Sequence, residues 1–325
     1  MQRRSFIQGC AAALIATCVA GPAFSQGLVK LRVGGTPNYG PIVPVHAAEK
    51  LGLFEKLGLD VEFTGYQGGA AAMEALAARE VDIVCFFPPG LALAKSRGVE
   101  AVIVGAGTLT PRGWMLMTAK GSDITEIGDL AGKSVGITSS GSTTDFFALW
   151  AADQAGGEVT RVPVGGGGLI TNLLAGNVDA IVAYPPVSYQ MLESGDGAVL
   201  VDLGEAMEPN LPDVWIASQS IVDAQPDVVK AYLVGVYSAA VYMQANPEWA
   251  IEFLMEVNGF ERAIAEREYE NTIKGLSPDG AIVAMARATP PCAVQVNSSR
   301  SSTLSTASQI RRQMASSTSS AVAPR

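Results

Sequence analysis

The stretch VDIVCFFPP at residues 81–89 returns as VDAIVAYPP at residues 178–186, and nothing else in the chain constrains its fold so tightly. Each copy reads Val-Asp, an apolar run, an aromatic residue and Pro-Pro. Proline cannot donate to a strand ladder, so each Pro-Pro ends a buried strand. The flanking residues repeat as well. LRVGGTPNYG (31–40) aligns with KSVGITSSGS (133–142), a short apolar strand running into a polar, glycine-rich turn. Helical stretches follow, PIVPVHAAEKLGLFEKLG in one copy and TTDFFALWAADQAG in the other. Then LDVEFTGYQGG and GEVTRVPVGGGG each give a strand ending in glycines, AAAMEALAARE and LITNLLAGN give helices, and the Val-Asp strands close each unit. Strand–helix–strand–helix–strand, written twice, calls for parallel sheets with helices on their faces. The period is too long, and occurs too few times, for a solenoid. The expectation is two similar α/β lobes.

A chain of 325 residues, 48% hydrophobic and 16% charged, can bury two such cores. Its net charge of −9, with no basic cluster in the folded body, argues against nucleic acid as a partner. The start is read as an export leader over residues 1–25. Arg3-Arg4 precede Ser5-Phe6-Ile7 in the manner of a twin-arginine signal, an apolar stretch runs from Ile7 to Ala20, and Ala23-Phe24-Ser25 offers a cleavage site. An ordinary secretory signal, or a lipoprotein signal acylated at Cys18, are the other readings. Cys10 and Cys18 lie in this leader, Cys85 in a strand and Cys292 in the tail, so no disulfide framework is implied. Residues 281–325 contain no Asp or Glu and are rich in Ser and Thr; they read as a low-complexity tail, either a shifted reading frame or a solvated native end, and receive no function.

Between Asp223 and Gly259 the spacing is helical, with a break at Asn246-Pro247. This segment follows the second repeat, while the first still needs helical cover. The chain therefore crosses between lobes near Trp114 and returns near Trp215, placing residues 26–113 and 216–280 in lobe 1 and 114–215 in lobe 2. Two crossings make a hinge.

In open α/β sheets ligands bind beyond the carboxyl ends of the strands. The turn TSSGSTTD puts hydroxyls and backbone N–H groups at a helix start, suited to a sulfonate or carboxylate; helix capping alone accounts for the same residues. The glycines at 165–168 either let a backbone approach closely or only turn the chain. Tyr39, Phe86, Phe87 and Tyr184 are candidate walls against an organic ligand, and one of the adjacent Phe86 and Phe87 is expected to face the core. GDLAGKS (128–134) has too few residues between its glycines for a phosphate loop and leads into a strand. His46 is the only histidine and lies on an apolar helix, so neither a zinc site nor nucleophile–base catalysis has its parts. Asp82 and Asp179 read as turn residues ahead of their strands.

In their order along the chain, AAEKLGLFEKLGLDVEF, DLAGKSVGITSSGSTTDFF, VPVGGG, NVDAIVAYPP and NPEWAIEF resemble the solute-binding proteins of ABC importers, in the nitrate/sulfonate/taurine-type group also called SsuA/THI5-like. The resemblance runs from near residue 30 to near residue 280. It implies a two-lobed type II periplasmic-binding-protein fold of class α/β, with parallel-rich sheets, flanking helices, a two-strand hinge and the ligand trapped between lobes. It implies a monomer in the periplasm that delivers a small molecule to a membrane permease and its ATPase, with no cofactor, metal or catalysis. The implied ligand residues are Asn38, Tyr39, Phe86, Phe87, Ser140, Ser142, Thr143, Thr144, Gly166, Gly167 and Tyr184. The scarcity of Lys and Arg near these loops favours an organic ligand with one anionic end and some apolar surface. A pyrimidine-type precursor, bound or made, and a ligand-sensing receptor module are the alternatives. The tail departs from the ordered end that normally completes lobe 1.

Overall fold

The computed structural model describes residues 27–207 and 212–280. The expected export leader, the tail from residue 281 and the stretch 208–211 lie outside the described residues.

Two five-stranded sheets carry the molecule. The first is built from β1 (Val29–Gly35), β2 (Leu59–Gly65), β3 (Ile83–Phe86), β4 (Ala101–Thr108) and β10 (Asp213–Ser218), in the order β2-β1-β3-β10-β4. The second contains β5 (Met115–Ala119), β6 (Ser134–Ile137), β7 (Thr160–Pro163), β8 (Ala180–Ala183) and β9 (Gly197–Asp202), in the order β7-β6-β8-β5-β9. The two Val-Asp strands are thus the central strands, buried at every residue. β1 pairs in parallel with β2 and β3, and β6 with β7 and β8. The repeat in the sequence is a repeat of sheet order.

Next to each central strand lies one antiparallel strand, β10 in the first sheet and β5 in the second. Each is the first strand after the chain has changed sheets. The chain leaves the first sheet after Thr108 and enters the second at Met115. Its return comes earlier than expected. The boundary placed at residue 215 cuts through β10, whose residues from Asp213 to Ser218 all pair within the first sheet. Trp215 is a fully buried mid-strand residue, not a crossing point. Apolar patterning identifies such a strand without saying which of two sheets it joins.

Asp82 and Asp179 do more than make turns. Asp82 accepts hydrogen bonds from the Arg32 backbone N–H at 3.1 Å and from its guanidinium at 2.7 Å. Asp179 accepts from the Ser134 N–H at 2.7 Å and hydroxyl at 2.6 Å. The registers make these pairs equivalent: Val33 faces Ile83 in one sheet and Val135 faces Ala180 in the other. Each aspartate pins the start of the central strand to its parallel neighbour. The bonds from Ser134 also hold the Asp179 carboxyl below its usual range.

Helices α1 (Val43–Lys50), α2 (Leu53–Lys56), α3 (Gly69–Ala77) and α4 (Pro88–Ser96) belong to the first repeat. The single helix expected before β2 is broken because Gly52 takes φ +62°, which favours glycine. Helices α5 (Thr143–Ala155), α6 (Leu169–Leu174), α7 (Val187–Ser194) and α8 (Leu203–Ala206) serve the second repeat. The helical segment after β10 forms α9 (Gln219–Ala224), α10 (Pro226–Ala245), α11 (Pro247–Asn258) and α12 (Arg262–Asn271), with Pro247 opening α11 at the expected break. It returns to cover the first lobe: Tyr232 of α10 stacks on Phe54 of α2 at 5.7 Å and lies edge-on to Trp215 at 5.4 Å. Among the described residues no helix is long and apolar enough to cross a membrane.

Candidate functional site

A small cavity lies where the carboxyl ends of the parallel strands of both sheets converge. The first sheet supplies Thr36 and Tyr39 after β1, Gly68 and Gly69 after β2, and Cys85 and Phe86 at the end of β3. The second supplies Thr138 after β6, Ser142, Thr143 and Thr144 at the start of α5, and Tyr184 after β8. Trp114 and Asp213 complete the wall.

Six of the eleven residues expected from the sequence meet in this cavity: Tyr39, Phe86, Ser142, Thr143, Thr144 and Tyr184. The other five lie elsewhere. Asn38 is exposed, with its backbone in the left-handed region at φ +58°. Phe87 packs across to α5 of the second lobe, 5.4 Å from Phe146 and 6.0 Å from Phe147, and both it and Phe86 are buried in one core cluster. Ser140 is exposed at the tip of its turn. Gly166 packs on Gln67 and Tyr184, and Gly167 touches nothing within 4 Å of where a side chain would start.

One end of the cavity is a donor-rich helix start. The Ser142 hydroxyl caps α5, accepting from the Asp145 N–H at 3.3 Å, and lies 2.7 Å from the Thr144 hydroxyl. Thr144 Oγ1 accepts from the Thr138 N–H at 2.8 Å and is 3.0 Å from the Thr138 hydroxyl. Capping and site formation are therefore carried by the same side chains. Asp145, buried in the first turn of the helix, accepts from the Gly141 N–H at 2.7 Å and is ion-paired with Arg161. Arg161 is thereby committed to shaping this turn. Among the described residues no Lys, Arg or His lines the cavity. The positive potential at this end comes from the N-terminus of α5.

The other end is acidic. Asp213, 3% exposed, accepts hydrogen bonds at Oδ2 from the Tyr39 hydroxyl and, at 3.1 Å, from the Thr108 hydroxyl. Burial pushes its carboxyl up to about 6, while those two bonds pull it back down. Burial and the neighbouring carboxylate raise the Tyr39 phenol, and burial raises the Cys85 thiol. Among the described residues no cation pairs with Asp213.

Three rings make the apolar wall. Tyr39 stands edge-on to Tyr184 at 5.5 Å and to Trp114 at 6.0 Å, and Trp114 lies 5.7 Å from Tyr184. These contacts join the first sheet to the second. Burial pushes the Tyr184 hydroxyl up to about 12.

Asp213 and Trp114 were not among the expected site residues, for one shared reason. Both begin the strands that run against their sheets, and Val214 faces Phe86 while Met115 faces Ala183. An antiparallel strand brings its amino end to the place where parallel strands bring their carboxyl ends. The signal was present in PDVW: an acid heading an otherwise apolar strand.

His46 packs edge-on against Phe63 at 4.9 Å, and burial lowers its pKa, in keeping with a structural role. Among the described residues no group of three or more His, Cys, Asp or Glu could hold a metal.

The family model described as NMT1/THI5 like matches residues 40–250. A Brucella abortus chain named as a binding protein is 25% identical over 277 residues, 83% of each chain. The taurine-binding periplasmic protein of Escherichia coli is 28% identical over 212 residues, 63% of this chain and 64% of that one. Among solved structures, the alkanesulfonate-binding protein SsuA of Xanthomonas axonopodis pv. citri, bound to MOPS, aligns with TM-score 0.68 at 20% identity, covering 78% of this chain and 86% of its own. These relatives are named as binding proteins, and the solved one shares the fold of this chain.

Proposed function

The chain belongs to the NMT1/THI5-like family, and from that premise we propose that it is the solute-binding component of an ABC importer, exported to the periplasm behind a twin-arginine-type leader. A monomer of this kind traps its ligand between the two lobes and presents it to a permease driven by an ATPase. Binding favours the arrangement in which both lobes touch the ligand, and only differential contact can shift that equilibrium.

The single observation that carries the ligand assignment is the pairing of two opposite poles in one cavity. The start of α5 offers hydroxyls and helix-end N–H groups, and Asp213 offers a carboxylate with no cation beside it among the described residues. A purely anionic ligand would be favoured at one end and repelled at the other. A small organic molecule with a sulfonate or carboxylate at one end and an ammonium or amino donor at the other satisfies both. The rings of Tyr39, Trp114 and Tyr184 cover the carbon chain between them, and they suit a cation, which is attracted to aromatic faces.

The test is a thermal-shift series on the exported chain, comparing short aminosulfonates and amino acids with the same molecules lacking the amine, and with nitrate and aminopyrimidines. A ligand at one hundred times its Kd stabilises by about 2.7 kcal/mol. Stabilisation by the doubly functional compounds alone is the expected result. Stabilisation by an aminopyrimidine alone would move the assignment to a precursor-binding role, and a cooperatively melting protein that answers to none of them would overturn the ligand class.

A further inference from the structure

The glycine-rich ends of β2 and β7 occupy equivalent places in the two sheets, and the fold brings them face to face across the cleft. Gly166 N–H donates to the backbone carbonyl of Gln67 at 3.4 Å. A Cβ on Gly68 would sit 2.9 Å from the Thr138 hydroxyl and 3.2 Å from its Cβ. A Cβ on Gly165 would sit 2.9 Å from the Gln67 amide oxygen. Gly166 and Gln67 thus meet main chain to main chain, while the bare main chain of Gly68 lies against the Thr138 side chain and that of Gly165 against the Gln67 side chain.

We infer that these two loops form a latch: Gln67-Gly68 against Thr138 and Gly165-Gly166 holds the lobes together and thereby sets ligand affinity, with Gly68 and Thr138 also lining the cavity. The inference rests on the solute-binding reading for its consequence, and on the loop geometry alone for its existence. The glycines at 165–168 were open to two readings, close approach or a tight turn; the structure sets Gly165 and Gly166 against Gln67 of the opposite lobe, while Gly68 also lines the cavity. Gly68 has φ 177°, an extended backbone that alanine adopts freely, so a methyl there meets the opposite lobe without straining its own.

Amide hydrogen exchange on the full chain without added ligand tests the latch directly, because the reporter is the Gly166 N–H. Gly68→Ala is expected to speed Gly166 exchange at least tenfold, leaving the central-strand amides of β3 and β8 protected. Adding Thr138→Ala removes the hydroxyl that the new methyl meets and is expected to return part of that protection. Gly167→Ala, one residue away and with nothing within 4 Å of its would-be Cβ, serves as the control and is expected to leave exchange unchanged. Where a compound from the thermal-shift series binds, Gly68→Ala is expected to weaken it about tenfold and Gly167→Ala not at all, and because Gly68 also lines the cavity the loss supports the latch only together with faster Gly166 exchange in the ligand-free chain. Unchanged Gly166 exchange in Gly68→Ala, an equal change in Gly167→Ala, or loss of protection in β3 and β8 together with Gly166 would each overturn the latch. If no compound binds the parent protein, the solute reading fails while the exchange data still decide the latch.

Discussion

The two sheets share a strand order, a buried central strand and an aspartate pin, yet they bring opposite chemistry to the cleft. The second lobe contributes a helix start dressed with hydroxyls. The first contributes Asp213, carried in on the strand that returns from the second sheet. The shared parts are those a strand needs to stay buried and in register. The differing parts face a neighbour outside the sheet, which frees them to match a ligand at its two ends.

The largest effect expected from disturbing this asymmetry is Asp213→Asn. It keeps the shape and an acceptor for Tyr39 but removes the charge. Losing one member of a buried ion pair costs about 2–5 kcal/mol, so a ligand bearing an ammonium should weaken at least thirtyfold by calorimetry while its des-amino analogue holds or gains. In the parent protein, affinity for the amino ligand should rise as pH climbs through about 6, where the carboxyl ionises, and level off above it. An affinity flat from pH 5 to 8 would argue that Asp213 does not face the cationic end.

A second difference lies where the lobes meet behind the cavity. Glu268 of α12 is fully buried; its Oε2 accepts from Thr272 Oγ1 at 3.2 Å, while Oε1 has no partner among the described residues and lies where a side chain on Gly40 would stand. Burial pushes this carboxyl up to about 8. The folded chain therefore keeps a proton that the unfolded chain releases near 4.5, and stability should fall as pH rises from about 4.5 to about 8. Asp213 adds a loss of the same sign between about 4 and about 6. Glu268→Gln should flatten the melting temperature across that range and raise stability at pH 8 by about 1–3 kcal/mol.

Ser142→Ala probes the opposite pole and should cost about 1 kcal/mol of stability through the lost cap. Affinity for the anionic end should fall with it, whether or not the ligand carries an amine. The smallest effects test the shared frame. Asp82→Asn and Asp179→Asn should each destabilise by about 0.5–1.5 kcal/mol in denaturant melts, with Asp82 the costlier because its partner is a guanidinium. A difference beyond 2 kcal/mol would mean the two pins are not equivalent.

Much of this was legible beforehand. The repeat, the central strands, the break at Pro247 and six residues of the cavity follow from apolar runs, proline and glycine, whose preferences act within a few residues. Phe87 and Gly167 do not line the cavity, and the sequence did not show this because what a strand-end residue packs against, or what a glycine approaches, depends on segments far away in the chain.

Sequence alone therefore determined the two α/β units and the aromatic and hydroxyl-bearing ends of their parallel strands, since local patterning dictates where strands run and stop. Tertiary structure alone decided that β10 joins the first sheet, that its leading Asp213 faces the hydroxyls of α5, and that the two glycine loops meet each other. Those are pairings between segments distant in the chain. They are selected by the burial and hydrogen bonding of whole sheets, which no local stretch encodes.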